Sequence, residues 1–313
     1  MGRYPEADLS QLTVGSVAER TTRVRVEEFA RPLEPAAARA VLASLPDQLG
    51  ARALREIVTR TVAARRERRP VVVMIGGHVI KVGVSPCLIA LMERGVISHL
   101  AMNGAAAIHD VEIATLGRTS EDVESALHAG RFGMVDETGD FMNAAAGQAA
   151  SRGEGLGEAY GRALLDAAPP QAAVSLLACA YRLQIPATVH VAIGSDTIHH
   201  HPCCDGAALG ASSLRDFRIL AATLAGARGA VVLNLGSAVI MPEVFLKALS
   251  VARNLGADLR DLTTANFDQI QHYRPRVNVL ERPTRAAGGH GIALTGHHEI
   301  LIPLFAAAVL AEL

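Results

Sequence analysis

Short apolar runs that stop at small residues punctuate the chain. The clearest is 71–75 (VVVMI), five apolar residues, three of them valine, closed by Gly76-Gly77. A run that short, β-branched and uninterrupted reads as a strand buried on both faces. A helical pattern follows over 85–94, with Gly95 as its stop. A second mostly apolar run, 96–102, closes at Asn103-Gly104. Two buried strands with a helix between them make a βαβ unit, and in open α/β sheets ligands bind at the carboxyl ends of such strands.

The same alternation recurs downstream. Residues 104–116 are helical by composition and stop at Gly117, and 186–193 (PATVHVAI) is a strand ending in Gly194-Ser195-Asp196. A helix over 213–227 leads to a strand over 230–235, the turn Gly236-Ser237, and a helix over 242–254 with proline at its start. Strands are predicted over 258–264 and 291–294, and a closing helix over 299–313. This succession predicts an α/β fold, a parallel sheet with helices on both faces. Residues 1–35 read as a polar N-terminal arm with an edge strand at 24–26, and 36–313 as a single α/β domain. Within that domain 120–129 begins with Ser120 and acidic residues and predicts a helix, while 197–210 and 265–290 read as loops.

Composition narrows the class. Of 313 residues half are hydrophobic and the net charge is −1, with no basic block patterned for a nucleic-acid groove. The densest cation run, Arg65, Arg66, Arg68 and Arg69, ends a helical pattern, where positive charge suits the helix dipole. No apolar stretch reaches the roughly 18 residues of a membrane span. The first residues lack the charged-then-apolar order of a signal peptide, and Glu6 breaks the myristoylation pattern. Four cysteines in a chain this long are no disulfide scaffold, so a reduced, cytoplasmic protein is the reading. Neither nucleic acid nor membrane is expected as a partner.

Histidine is the unusual feature. His199-His200-His201-Pro202-Cys203-Cys204 follows one strand end, His297-His298 another, and His109-Asp110 lies just past Asn103. Imidazole is both a metal ligand and the acid–base group of neutral pH. In an extended loop His199 and His201 would face one side. The spacings match no known zinc motif, and Cys203 lacks the local signature of a nucleophile, so no metal ligand is assigned. The turns Gly76-Gly77-His78 and Asn103-Gly104-Ala105 can bring backbone amides to a phosphate, although neither carries the GxGxxG spacing. Asp196 and Asp268, at predicted strand ends, are carboxylates that a cationic substrate could meet.

Several segments, in order, resemble deoxyhypusine synthase over about residues 68–313. These are 71–83, 100–110, 185–201, 230–241 (AVVLNLGSAVIM), 264–268 (TANFD) and 295–305 (TGHHEILIPLF). Through GHVIKVG and NGAAAIHDVE the chain is also similar to the NAD-binding domain of archaeal-type ornithine cyclodeaminases. The resemblance implies an NAD-binding fold and a homotetramer. It also implies a cofactor lined by Gly76, Gly77, His78, Asn103, Gly104, Ala105, Gly236, Ser237 and His297. Where deoxyhypusine synthase has its imine-forming lysine this chain has Met241, and a thioether forms no imine, so hypusine formation is not expected.

The resulting expectation is an NAD-dependent enzyme acting on a small amine or amino acid, with hydride abstraction at a C–N carbon and an imine intermediate. His109 is the acid–base group, held by Asp110. His199 and His201 contact the substrate amine, and Asp196 and Asp268 bind the substrate. Two other readings stay open: a non-catalytic NAD or metabolite-binding protein, and a metal-dependent hydrolase or lyase built on the histidine-rich loops.

Overall fold

The apolar runs line up as the core of one sheet. The structure, a computed structural model, describes residues 6–285 and 288–313. The first five residues of the expected arm lie outside the described residues. The strands are β1 (Thr22–Arg25), β2 (Val71–Ile75), β3 (His99–Asn103), β4 (Arg118–Glu121), β5 (Ala187–His190), β6 (Val231–Leu235), β7 (Thr263–Asp268) and β8 (His290–Thr295). Six of them form a sheet in the order β5-β3-β2-β6-β7-β8, every neighbour parallel.

The chain enters this sheet at β2, near its middle, moves outward through β3 to β5, then crosses back to β6 and runs out to β8. The strand order therefore reverses between β2 and β6, the kind of position at whose carboxyl ends ligands bind in open α/β sheets. Side chains alternate between the two faces. Val73, Ile75, Leu100, Leu233 and Phe267 pack with helices Leu49–Arg66, Ser85–Glu93 and His298–Glu312. Val72, Met74 and Val232 pack with Leu220, Phe245 and Leu249 of helices Gly206–Ala225 and Ile240–Asn254. Both faces are covered, which is why β2 and β6 can be apolar throughout. The expected α/β parallel sheet is present.

Several local readings are corrected. The strand expected over 258–264 is β7 at Thr263–Asp268, while Asp258 closes a turn on Arg260 (2.7 Å). β7 (TTANFD) is polar by sequence yet buried along its length, because its amides find partners: Asn234 Nδ2 donates to Asn266 Oδ1 at 2.7 Å and Asn266 Nδ2 to Gln271 Oε1 at 2.8 Å. An apolar-run criterion passes over such a strand. Residues 118–121, partly assigned to a helix by sequence, are β4, and the helix there starts at Val123. The 265–290 segment contains the π-helical stretch Pro275–Glu281 rather than a loop alone.

The arm is tied across the carboxyl edge. β1 pairs antiparallel with β4, Thr22 opposite Glu121, and Gly15 bridges to Val135. Glu137 takes hydrogen bonds from Ser16 Oγ (2.5 Å) and the Val17 amide (2.9 Å). These contacts carry Arg20 over the end of the helix that follows β3.

Candidate functional site

Asn103 ends β3 and caps the next helix, Gly104–Leu116, its Oδ1 accepting from the Ala106 amide at 2.9 Å. On that helix Ala105, Ile108, His109 and Glu112 recur at spacings of three and four, so they share one stripe. The stripe faces a cavity of about 210 Å³, lined also by Lys81, Arg20 of the arm, Glu121 of β4, and Asp196 and His201 of the β5 loop.

His109 is the organised group in this cavity. Its Nδ1 lies 2.7 Å from Thr119 Oγ1, and the Thr119 hydroxyl donates to Glu112 Oε2 at 2.5 Å. A hydroxyl has one proton, and a carboxylate only accepts. Thr119 must therefore accept from His109 Nδ1–H, which leaves Nε2 with its lone pair. Burial holds the imidazole down to about 4, with the Lys81 and Arg20 charges adding and Glu112 opposing. The ring is thus neutral near pH 7, with Nε2 unpartnered among the described residues. Glu112 is itself held by Arg20 Nη1 (2.7 Å) and the Thr138 hydroxyl (3.0 Å).

The expected partner of His109, Asp110, points elsewhere. Its carboxylate accepts from Ser175 Oγ (2.6 Å) and from the Leu176 and Leu177 amides (2.8 and 3.0 Å), closing the start of helix Leu176–Arg182. Burial raises Asp110 to about 6, with those hydrogen bonds opposing. Adjacent positions on a helix do not share a face, so sequence adjacency misassigned the carboxylate. The i, i+3 spacing of His109 and Glu112 was the usable signal. Thr119 and Arg20 come from β4 and the arm, and nothing local pointed to them.

Asp196 belongs to the site. Its carboxylate lies against Gly104, where a Cβ would stand 2.1 Å from Oδ2, and it accepts from the Ala192 amide at 2.9 Å. An acid there suits the helix N-terminus. His199 Nε2 is 3.9 Å from it. Burial raises the Asp196 carboxyl and lowers the His199 imidazole. His201 lines the cavity, and its buried Nε2–H donates to the Gly133 carbonyl at 2.8 Å. His199 and His201 do not face one side as an extended loop would have them, because Thr197–His200 is a short 3-10 helix. Among the described residues no group of three or more His, Cys, Asp or Glu can hold a metal. Asp268 ends β7, bonded to the Gln269 amide at 2.8 Å, and does not reach this cavity.

The glycine turns meet at the strand reversal. A Cβ on Gly76 would come within 2.3 Å of the Gly236 carbonyl oxygen, so the β2 and β6 turns touch. Gly236 has φ +62, and a Cβ there would meet the His298 ring at 2.8 Å. A Cβ on Gly77 would lie 3.0 Å from His109 Cδ2, so the β2 turn packs against this cavity-lining histidine. His78 is exposed, edge-to-face with His298 (ring centroids 5.3 Å apart), and Ser237 Oγ accepts from the Met241 amide at 3.2 Å. His297, expected at the cofactor, is an exposed helix cap with 61% of its side chain accessible, and its neighbour His298 takes the interior place. His298 Nε2 donates to the Phe267 carbonyl (3.0 Å), and its buried Nδ1 has no partner. Met241, the second residue of helix Ile240–Asn254, is fully buried in the core.

A nicotinamide dinucleotide fits this edge in one part. The Gly77 turn, Ser237 and the unpartnered His298 Nδ1 lie at the reversal and would hold it. At Gly104 the Asp196 carboxylate already covers the helix start, so Asn103, Gly104 and Ala105 leave no open phosphate cradle.

No protein-family model matches the chain, and no curated protein matches it. Solved structures share its fold. A conserved LOR/SDH-type protein from Methanococcus maripaludis S2 has TM-score 0.52 and 14% identity, over 84% of this chain and 70% of that one. Unliganded AgrE has TM-score 0.54 and 15% identity, over 83% of this chain and 32% of that one. AgrE in its ternary complex with ornithine and NAD+ has TM-score 0.50 and 14% identity, over 90% and 34%. A deoxyhypusine-synthase-like protein of Entamoeba histolytica has TM-score 0.48 and 9% identity, over 84% and 88%. The chain thus spans about a third of AgrE's length. The fold is shared with the LOR/SDH-type protein and with AgrE.

Proposed function

We propose that the chain is an NAD-dependent enzyme acting on a small amine or amino acid. The observation that carries the reading is the Glu112–Thr119–His109 line, which leaves Nε2 of a cavity-lining imidazole unprotonated beside the turn of the strand reversal. The fold it shares with AgrE, whose structure holds ornithine and NAD+, supports it.

When bound, the dinucleotide supplies a hydride acceptor for the carbon that bears the amine. His109 Nε2 accepts the proton that the substrate nitrogen must shed before an imine can form, a role suited to a base that is neutral at pH 7. Thr119 keeps the ring in the required tautomer, and Glu112 stabilises the imidazolium once it is charged. Asp196 and Glu121 present carboxylates to the substrate's ammonium group. A homotetramer is part of the same reading, checked by light scattering.

The test is a thermal-shift titration with NAD+ and NADH, followed by absorbance assays for NADH formation across amines and amino acids. A shift plus turnover supports the reading. A shift with no turnover over the whole panel makes the chain a non-catalytic NAD-binding protein, and no shift removes the cofactor.

A further inference from the structure

Arg20 is the one described residue of the arm that lines the cavity, and its guanidinium is only partly used. Nη1 pairs with Glu112 at 2.7 Å, with side chains 9% and 4% exposed. Nε and Nη2 are buried and have no partner among the described residues. A guanidinium is always charged and carries its donors in a planar fork. Leaving two of those nitrogens buried and empty is costly unless a ligand takes them. Arg20 lines the 210 Å³ cavity and also a second space, of about 600 Å³, between the arm and residues 121–135. It therefore stands in the wall between an outer vestibule and the His109 chamber. Lys81 adds a second cation to the inner lining, while Glu121 and Asp196 supply acids on the same lining.

We propose that Arg20 is a carboxylate-binding residue, and that the ligand of the cavity is an amino acid in its zwitterionic form rather than a simple amine. The ligand carboxylate takes Arg20 Nε–H and Nη2–H side by side, the two-point geometry in which guanidinium and carboxylate match. Its ammonium group lies toward Asp196 and Glu121, within reach of His109. Glu112 then has two tasks, holding Arg20 with one oxygen and ordering His109 through Thr119 with the other. The segment that reads the carboxylate thus comes from outside the sheet. The proposal rests on the cavity being the substrate site.

The experiment is calorimetric binding to the full chain, with and without NAD+, of amino acids beside the amines their decarboxylation gives: L-alanine with ethylamine, L-ornithine with 1,4-diaminobutane, L-lysine with 1,5-diaminopentane. At least one amino acid is expected to bind more tightly than its amine by about tenfold or more, since a site built to bond a group rejects ligands lacking it. Arg20→Gln should erase that gap, read as the ratio of the two affinities within the variant, so that any general loss from unpairing Glu112 cancels. Equal binding within every pair, no binding by any amino acid, or a gap that survives in Arg20→Gln overturns the proposal. Should Arg20→Gln not fold, the Arg20 Nε–H resonance of the wild-type chain decides, and its failure to move on saturation with the amino acid has the same consequence. A carboxylate preference without NAD+ binding would keep this proposal and remove the NAD-dependent reading.

Discussion

Thr119 stands between His109 and Glu112, 2.7 Å from the imidazole Nδ1 and 2.5 Å from the carboxylate. One proton on one hydroxyl sets the tautomer of the ring. The residue joins two elements, because Thr119 lies in β4 while His109 and Glu112 lie one turn apart on the preceding helix.

Removing that hydroxyl while keeping the shape, Thr119→Val, should release His109 from its tautomer. Nitrogen NMR is expected to show Nδ1 protonated in the parent and a mixture in the variant. Turnover should fall with little change in KM, since the role is positioning. Removal of the base itself, His109→Asn, should cost about 10²–10⁴ in kcat. An unchanged His109 spectrum in Thr119→Val would disprove the hydroxyl's role.

Glu112→Ala strands the Arg20 charge in a buried place. Breaking a buried pair by removing one partner costs about 3–5 kcal/mol, well above the worth of a surface ion pair. Denaturant unfolding of the variant should show a loss of that size. A loss below about 1 kcal/mol would mean that Arg20 finds water or another acid in its place.

Stability should fall as the solution is acidified. Burial holds His99 down to about 3 and His190 to about 4, with His190's charge adding at His99, and both rings bond Thr188 (3.1 Å each). His109 is likewise down to about 4. A depressed imidazole is neutral in the fold and takes up a proton on unfolding, so its contribution is intact above about 6.5 and is lost as pH falls toward 4. Asp110 and Asp216 run the other way: burial raises them to about 6 and about 7, so their contribution is present at low pH and lost as pH rises through those values. Burial also lowers His78 and His199 and raises Glu121 and Asp196, so histidines still outnumber carboxyls and a net loss remains between pH 6 and 4. Unfolding curves over that range test it, and a His190→Asn chain should show a shallower slope than the parent.

Gly76→Ala should open the strand reversal. Its Cβ would lie 2.3 Å from the Gly236 carbonyl oxygen, a backbone atom that cannot swing aside. Such overpacking costs about 1–3 kcal/mol. NAD+ binding should weaken along with the melting temperature, whereas a simple loss of fold stability would leave the affinity of the folded fraction unaltered.

Much of the fold was legible because its strands are buried on both faces. A strand such as Val71–Ile75 must then be apolar at every position, and that leaves a mark in the sequence. β7 left none, since it is polar by sequence yet buried, its Asn266 amide bonded to Asn234 and Gln271. The site was legible in part. His109, Asp196 and His201 were singled out from loops and strand ends, and the structure gathers all three on one cavity. Asp110 was chosen by adjacency and His297 from the resemblance: Asp110 is buried toward helix Leu176–Arg182, and His297 is an exposed cap whose neighbour His298 is interior.

The sequence by itself determined the strand–turn–helix succession, the parallel sheet with two covered faces, and the histidine-bearing turns at its carboxyl edge. Periodicity and glycine placement are local properties, so they survive in one dimension. Which carboxylate serves His109, which imidazole lies against Gly236, and what the arm does were decided only by the tertiary structure. Arg20, Glu112 and Thr119 lie 92 and seven residues apart along the chain, yet they meet within hydrogen-bond distance. Charge and hydrogen-bond partnership depend on distance in space, and only the packing of β4 and the arm onto the helix after β3 sets that distance.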